Sequence, residues 1–354
     1  MDFRVFFPVA LVLLLGMSLL YAQDDPFKRA TASLSDPERN LLEEFRRVFP
    51  KIQSLYTNIQ MEADLSRYQK EGVQGGGSPV PSGEELPLAG RSHLTFYVRD
   101  GLRIDDTLKP YYRLEVADYG SQASLDIPEE EWIGIATPDN IYALSKFKER
   151  SYIAGTEKTS DQALSQHIFS VPFLSAPYAI SGIPVTRWMF EFDDVTVQSV
   201  TPDKSSSDGE IVTVIFRRHY PMGDAHFECR FMRNKGWALL YAKKVVGSPN
   251  NHEGGFILQN TYEGEVDGIP LLKRVVYEEF YGETNAVPEI YLRKNYEITK
   301  IIPGPPKLAV FDVQRLLSSS SGKWSYFRIL CVAIAAALIA AGLYLRFLKN
   351  EKRS

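Results

Sequence analysis

Three stretches stand out from the pattern of apolar and polar positions: one has helical spacing and two are unbroken apolar runs near the ends. Most of what lies between alternates with a period of two. Leu41, Leu42, Phe45, Val48, Phe49, Ile52, Leu55, Tyr56 and Ile59 recur at steps of three and four, which predicts an amphipathic helix from Ser35 to Ile59. Ser35 with Glu38 makes a capping box at its start, and Pro37 suits the first turn. Pro50 predicts a kink. So broad an apolar face needs a large surface to lie on.

That surface is predicted to be a sheet. "IQMEADL" alternates from Ile59 to Leu65, so the helix gives way to a strand there. "GVQGGGSPVPSGEELPLAG", from Gly72 to Gly90, has the composition of a flexible loop. "SHLTFYV", Asp100-Gly101 and "LRIDD" predict a hairpin, because Asp-Gly fits a tight primed turn. "EWIGIAT", Pro138-Asp139-Asn140 and "IYALSK" predict a second. "EIVTVIFRRHY", "HFECRFM", Asn234-Lys235-Gly236 and "WALLYAKKVV" continue as a meander. "GGFILQNTYEG", Asp267-Gly268, "IPLLKRVVYEEFYG" and "PEIYLRKNYEITKII" complete it. The expectation is about ten to twelve antiparallel strands with one apolar face. Ser160–Val185 interrupts the rhythm, opening as a short helix and turning into an apolar, proline-broken stretch.

The terminal runs predict a topology. Arg4, the apolar stretch Val5–Leu20 and Leu20-Tyr21-Ala22 have the layout of a secretory leader cleaved after Ala22, residues 1–22. Ile329 to Leu345 is seventeen residues without a charge, about 25 Å of helix. Trp324 and Tyr326 stand at one end and Arg346, Lys349, Lys352 and Arg353 at the other. This predicts a transmembrane helix over 324–346, a Ser-rich stalk at 317–323 and a basic cytoplasmic tail at 347–354. Residues 23–316 then form the exported domain of a single-pass membrane protein.

Charge narrows the partners. Of 40 basic and 44 acidic residues, Arg4, the six Lys/Arg from Lys323 onward, Asp2 and Glu351 lie outside the exported stretch. That leaves 33 basic against 42 acidic, a net of about −9, which argues against nucleic acid. With Cys331 in the anchor, Cys229 stands alone outside it, so no disulfide joins the two.

A long amphipathic helix followed by an antiparallel meander resembles the LolA/LolB-like bacterial envelope proteins. The resemblance rests on "YAISGIPVTRWMFEFDDVTVQSVTPD" (Tyr178–Asp203), "GWALLYAKK" (Gly236–Lys244) and "YEGEVDGIPLLKRVVYEE" (Tyr262–Glu279). It implies an α+β fold in which an incomplete antiparallel β-barrel wraps around the N-terminal helix, and a periplasmic location. It further implies an acyl chain or a lipoprotein lipid as ligand. The departures concern role: the family's soluble carrier has no anchor, and its outer-membrane receptor is itself a lipoprotein.

No motif spells out a reaction. His226-x-Glu228 with Cys229 lacks the Pro-Cys-x-x-Cys of a zinc deaminase, and in a strand Phe227, Cys229 and Phe231 face one way while His226, Glu228 and Arg230 face the other. His252-Glu253, in a Gly-rich stretch, lacks the second histidine of a zincin. "EEEW" at Glu129–Trp132 and Glu278-Glu279 are expected to be solvated charge runs, and "RRHYP" (Arg217–Pro221) is an anion candidate or a plain strand end. The chain is therefore expected to be a binding protein with no enzymatic activity, cofactor or metal. The predicted lining of a concave apolar site is Phe45, Phe49, Ile52, Phe173, Leu174, Trp188, Phe190, Phe216 and Trp237. The alternative is that these side chains fill a core, and that the domain is an interaction or sensor module binding a protein partner.

Overall fold

A computed structural model describes residues 25–70, 85–100, 111–120, 130–147, 150–158, 176–180, 182–203, 210–220, 223–247, 252–283 and 289–317. Thirteen strands form one open antiparallel sheet. In chain order they are β1 Ile59–Gln69, β2 Leu88–Arg99, β3 Tyr111–Gly120, β4 Glu130–Ala136, β5 Asn140–Phe147 and β6 Arg150–Lys158. After the short pair β7 Ala179–Ile180 and β8 Ile183–Pro184, which stands apart, come β9 Val195–Asp203, β10 Ile211–Tyr220, β11 Gly223–Met232 and β12 Ala238–Gly247. β13 His252–Val266, β14 Ile269–Glu283 and β15 Glu289–Pro303 follow. The spatial order is β6-β5-β4-β3-β2-β1-β15-β14-β13-β12-β11-β10-β9. The chain thus builds outward from β1 to one edge, crosses to the other edge at β9, and returns to place β15 beside β1. Within β1–β6 and within β9–β15 sequential neighbours pair, as short antiparallel connections favour.

This corrects the expected fold. In place of ten to twelve strands forming an incomplete barrel around one helix, thirteen strands among the described residues lie in a single sheet whose edges β6 and β9 do not pair with each other. Among the described residues no helix is long and apolar enough to cross a membrane, so the C-terminal transmembrane helix is not supported; the segment 324–346 lies outside them. The leader, the basic tail and most of the stalk also lie outside the described residues.

The expected helix forms as two. α1 (Pro26–Ala30) precedes α2 (Asp36–Val48), and α3 (Pro50–Tyr56) follows after Phe49. Phe49 is helical itself (φ −56°, ψ −33°) but ends the first helix, because Pro50 has no N–H to continue it. The Ser35 N–H and Oγ–H both donate to Glu38, at 2.9 and 2.6 Å. The other Glu38 oxygen accepts the Val200 N–H at 3.2 Å, and Ser33 Oγ donates to the Val197 carbonyl at the same distance. Edge strand β9 is thereby tied to the helical layer, which removes donors and acceptors that another strand would pair with.

One apolar core joins the helices to the inner face of β1–β5 and β9–β15. Register shifts in β1, β2, β5, β10, β11, β13 and β14 supply the local twist that lets so wide a sheet follow the helices. A second cluster sits on the outer face of β3–β5, where Phe311 and Val313 pack on Ile133, Ile135 and Leu144. Arg99 and Arg113 donate to the Pro306 and Val310 carbonyls at 2.9 and 2.7 Å and tie that C-terminal segment down.

Candidate ligand-binding site

Seven of the nine predicted lining residues fall within the described residues, and all seven are buried. Phe45, Phe49, Ile52, Phe216 and Trp237 are 0 % exposed, with Trp188 at 3 % and Phe190 at 6 %. The structure brings them into one cluster, but against each other. The Phe45 ring lies 4.5 Å from Phe49, 5.0 Å from Phe231 and 5.3 Å from Trp237. Phe216 stacks on Phe227 at 4.6 Å, and Phe227 meets Trp188 at 5.0 Å. Phe173 and Leu174, with the helix expected at the start of Ser160–Val185, lie outside the described residues. The helical end of the inner face is a filled aromatic core.

Trp237 shows how tightly that end is specified. Its backbone has φ +63°, a left-handed conformation that costs a bulky residue about 1–2 kcal/mol. Burial of the indole offsets this, as does its Nε1–H donating to Glu44 at 3.2 Å. Arg233 donates to both Glu44 and Glu210, at 2.9 Å for its Nε and 2.8 Å for its Nη1. The Arg233 guanidinium beside Glu44 holds that carboxyl below its usual range.

The other end of the inner face is different. A cross-strand row runs Phe216–Phe227–Lys244–Phe256–Glu279–Leu292. Directly paired residues share a face, so Lys244 and Glu279 lie among core aromatics. Lys294 lies two residues beyond Leu292 and Arg218 two beyond Phe216, on the same side. Each belongs to a doublet: Arg217-Arg218, Lys243-Lys244, Glu278-Glu279 and Arg293-Lys294. A strand turns successive side chains to opposite faces, so every doublet sends one charge inward.

The inward charges rest on rings. The Lys244 ammonium is 5.7 Å from the Trp188 centroid and 5.8 Å from Phe227. Lys294 lies 5.9 Å over Tyr277. Arg218 sits 3.9 Å over Phe192, 4.8 Å over Tyr220 and 5.2 Å over Trp188, while its Nε–H is shared by both Asp194 oxygens at 3.0 Å. Glu279 accepts from the Tyr277 and Tyr291 hydroxyls at 3.1 and 2.7 Å. Gly255 permits this geometry, since a Cβ there would stand 1.8 Å from the Lys244 carbonyl oxygen.

Electrostatics separate the two lysines. Burial lowers both. For Lys294 the nearby Glu279 carboxylate opposes the shift and the Arg67 charge adds to it, whereas for Lys244 the Arg218 charge adds to it. Two cations, Arg218 and Lys244, therefore lie against the Trp188 ring, and the one carboxylate bonded to them, Asp194, is held by Arg218. Glu278, expected in a solvated run, is instead 8 % exposed on the outer face and accepts from Arg293 at 2.6 Å.

The remaining candidates resolve simply. Phe227, Cys229 and Phe231 face the core, as the alternation predicts, and burial pushes the Cys229 thiol up. Glu228 pairs with Arg230 at 2.6 Å. His252, expected in a Gly-rich loop, opens β13 opposite Glu283. Among the described residues no group of three or more His, Cys, Asp or Glu is placed to hold a metal ion. Two surface clefts, about 630 Å³ beside Phe27 and Arg46 and about 880 Å³ beside Arg230 and Tyr241, contain none of the predicted lining residues. No family model matches the chain, and no curated protein matches it.

Proposed function

We propose that this chain is a non-enzymatic envelope binding protein that holds an amphipathic ligand, an acyl chain or lipoprotein lipid, at the charged end of the inner sheet face. The observation that carries this reading is the inward row itself. Half-buried ammonium groups on a face otherwise given to packing cost free energy in the unliganded protein. Costly inward charges beside buried and half-buried aromatic rings mark binding surfaces more often than cores. The three stretches that resemble LolA/LolB-like proteins support the reading, because Tyr178–Asp203 supplies Trp188, Phe192 and Asp194, Gly236–Lys244 supplies Lys244, and Tyr262–Glu279 supplies Tyr277 and Glu279.

The test is mass spectrometry of organic extracts from the purified protein, joined to titration with a fluorescent acyl-chain probe. Saturable binding of the probe at about one per chain is expected. Absence of both extracted lipid and saturable binding removes the proposal. The filled packing of Phe45, Phe49, Phe231 and Trp237 favours a second reading, an interaction domain that binds a protein partner, and that reading stands if affinity capture succeeds where lipid binding fails.

A further inference from the structure

Any ligand held at this end of the sheet meets an unequal distribution of charge. Lys294 has Glu279 as a neighbour of opposite sign, whereas among the described residues Lys244 makes no ion pair. The charge that acts on Lys244 is that of another cation, Arg218. Arg218 spends its Nε–H on Asp194, and its two Nη nitrogens have no acceptor among the described residues. Its side chain is 18 % exposed and that of Asp194 36 %, so the pair borders solvent. Trp188, 3 % exposed and fixed by its Nε1–H donating to the Ile180 carbonyl at 3.0 Å, is the wall both cations lean on. A planar guanidinium and an ammonium against the same indole, with one carboxylate bonded to the guanidinium alone, suit a second oxyanion.

We propose that Lys244 and Arg218 form an oxyanion site that takes the carboxylate or phosphate headgroup of an acyl-chain ligand, with Trp188 and Phe227 against the first carbons of the chain. This rests on the amphiphile reading above and specifies its polar half. Asp194 holds the guanidinium in plane. Lys244 supplies the uncompensated charge, so it is the residue that discriminates charged from neutral headgroups.

The test uses the full chain and three probes that share one acyl chain: oleate, oleyl phosphate and monoolein. Calorimetric titration is expected to show oleate or oleyl phosphate binding about tenfold or more tightly than monoolein, the preference a charge-assisted hydrogen bond confers. Whichever acid binds more tightly identifies the headgroup class. Lys244→Met keeps the aliphatic stem and removes the charge. It is expected to bring the acid down to the affinity of monoolein, leave monoolein unchanged, and raise the melting temperature of the unliganded protein. Lys244→Arg is expected to restore the preference. Equal binding of all three probes by the parent, or equal weakening of all three by Lys244→Met, overturns the oxyanion site while leaving the amphiphile reading intact. Failure of every probe to bind overturns both.

Discussion

Replacing Phe45 by alanine distinguishes a packed interior from a ligand cavity at the helical end of the sheet. The ring is 0 % exposed and meets Phe49, Phe190, Phe231 and Trp237 at centroid distances of 4.5, 6.3, 5.0 and 5.3 Å. Removing a buried phenyl forfeits roughly 2 kcal/mol of transfer free energy. A void of ~100 Å³ that the rigid aromatic neighbours do not close adds ~2.4 kcal/mol at 24 cal/mol per Å³. The sum, ~4 kcal/mol, falls within the usual range for Phe→Ala in a core. Urea unfolding of the full chain, followed by circular dichroism and by tryptophan fluorescence, measures it, with Phe45→Leu as a milder control expected to lose about 1 kcal/mol. Had Phe45 lined an open cavity, there would be no new void and fewer lost contacts. A loss below ~1.5 kcal/mol therefore refutes the filled interior.

Three further outcomes follow from named contacts. Glu44→Gln is expected to cost about 1–3 kcal/mol at neutral pH, because Arg233 loses one of its two charged acceptors and keeps only Glu210. Glu44 is held below the ordinary carboxylate value when folded, so its contribution is present above that value and disappears as pH falls through the folded one. The stability gap between parent and variant should close in acid, and a gap independent of pH contradicts the assignment. Cys229, fully buried on β11 with its thiol pushed up by burial, should react with an alkylating probe only after unfolding, so rapid labelling of the native chain removes it from the core. Gly255→Ala places a methyl 1.8 Å from the Lys244 backbone oxygen and should destabilise several-fold more than Gly264→Ala, whose φ of +74° costs about 1 kcal/mol with open space around it. Equal melting-temperature losses for the two variants overturn that close approach.

The strands were legible where period and turn chemistry agreed. Ile269 follows Asp267-Gly268, whose φ angles of +49° and +75° are those the tight turn requires, and β4 and β5 lie on either side of Pro138-Asp139, with Asn140 opening β5. Asp-Gly at residue 100 misled for a physical reason. Asp100 does take φ +53°, but a left-handed residue marks a local turn and says nothing about how long the connection is. β2 pairs with Tyr111–Gly120, and "LRIDD" lies outside the described residues. β6 and β9 were missed as the sheet's two edges, where exposed positions blur the alternation; β9 reads buried, half-buried, buried, exposed only over Val195–Gln198. Seven of the nine lining residues were found as apolar positions, and pattern alone does not distinguish a wall from a filling. The distance from the Phe45 ring to Phe231 and Trp237 decides it, and that distance depends on how far the sheet curls.

The charge doublets held more information than their hydrophilic character suggested. Arg217-Arg218, Lys243-Lys244, Glu278-Glu279 and Arg293-Lys294 each lie inside an alternating stretch, and solvation of both members of such a pair is incompatible with a strand that buries one face. Each doublet had therefore to place one charge on the inner face, and the register decides only which one. That register sets Lys244 and Glu279 in a single cross-strand row, with Arg218 and Lys294 two residues from it. Four independent strands put an ionic group on the apolar face at the same level, whereas Phe45, Phe49, Phe231 and Trp237 pack at the other end without one. A face that only filled space would gain stability from apolar residues at all four positions. The inner face is thus divided by its own residues into a part that holds the fold together and a part whose charges raise its cost, and the second is the part the proposed ligand would occupy.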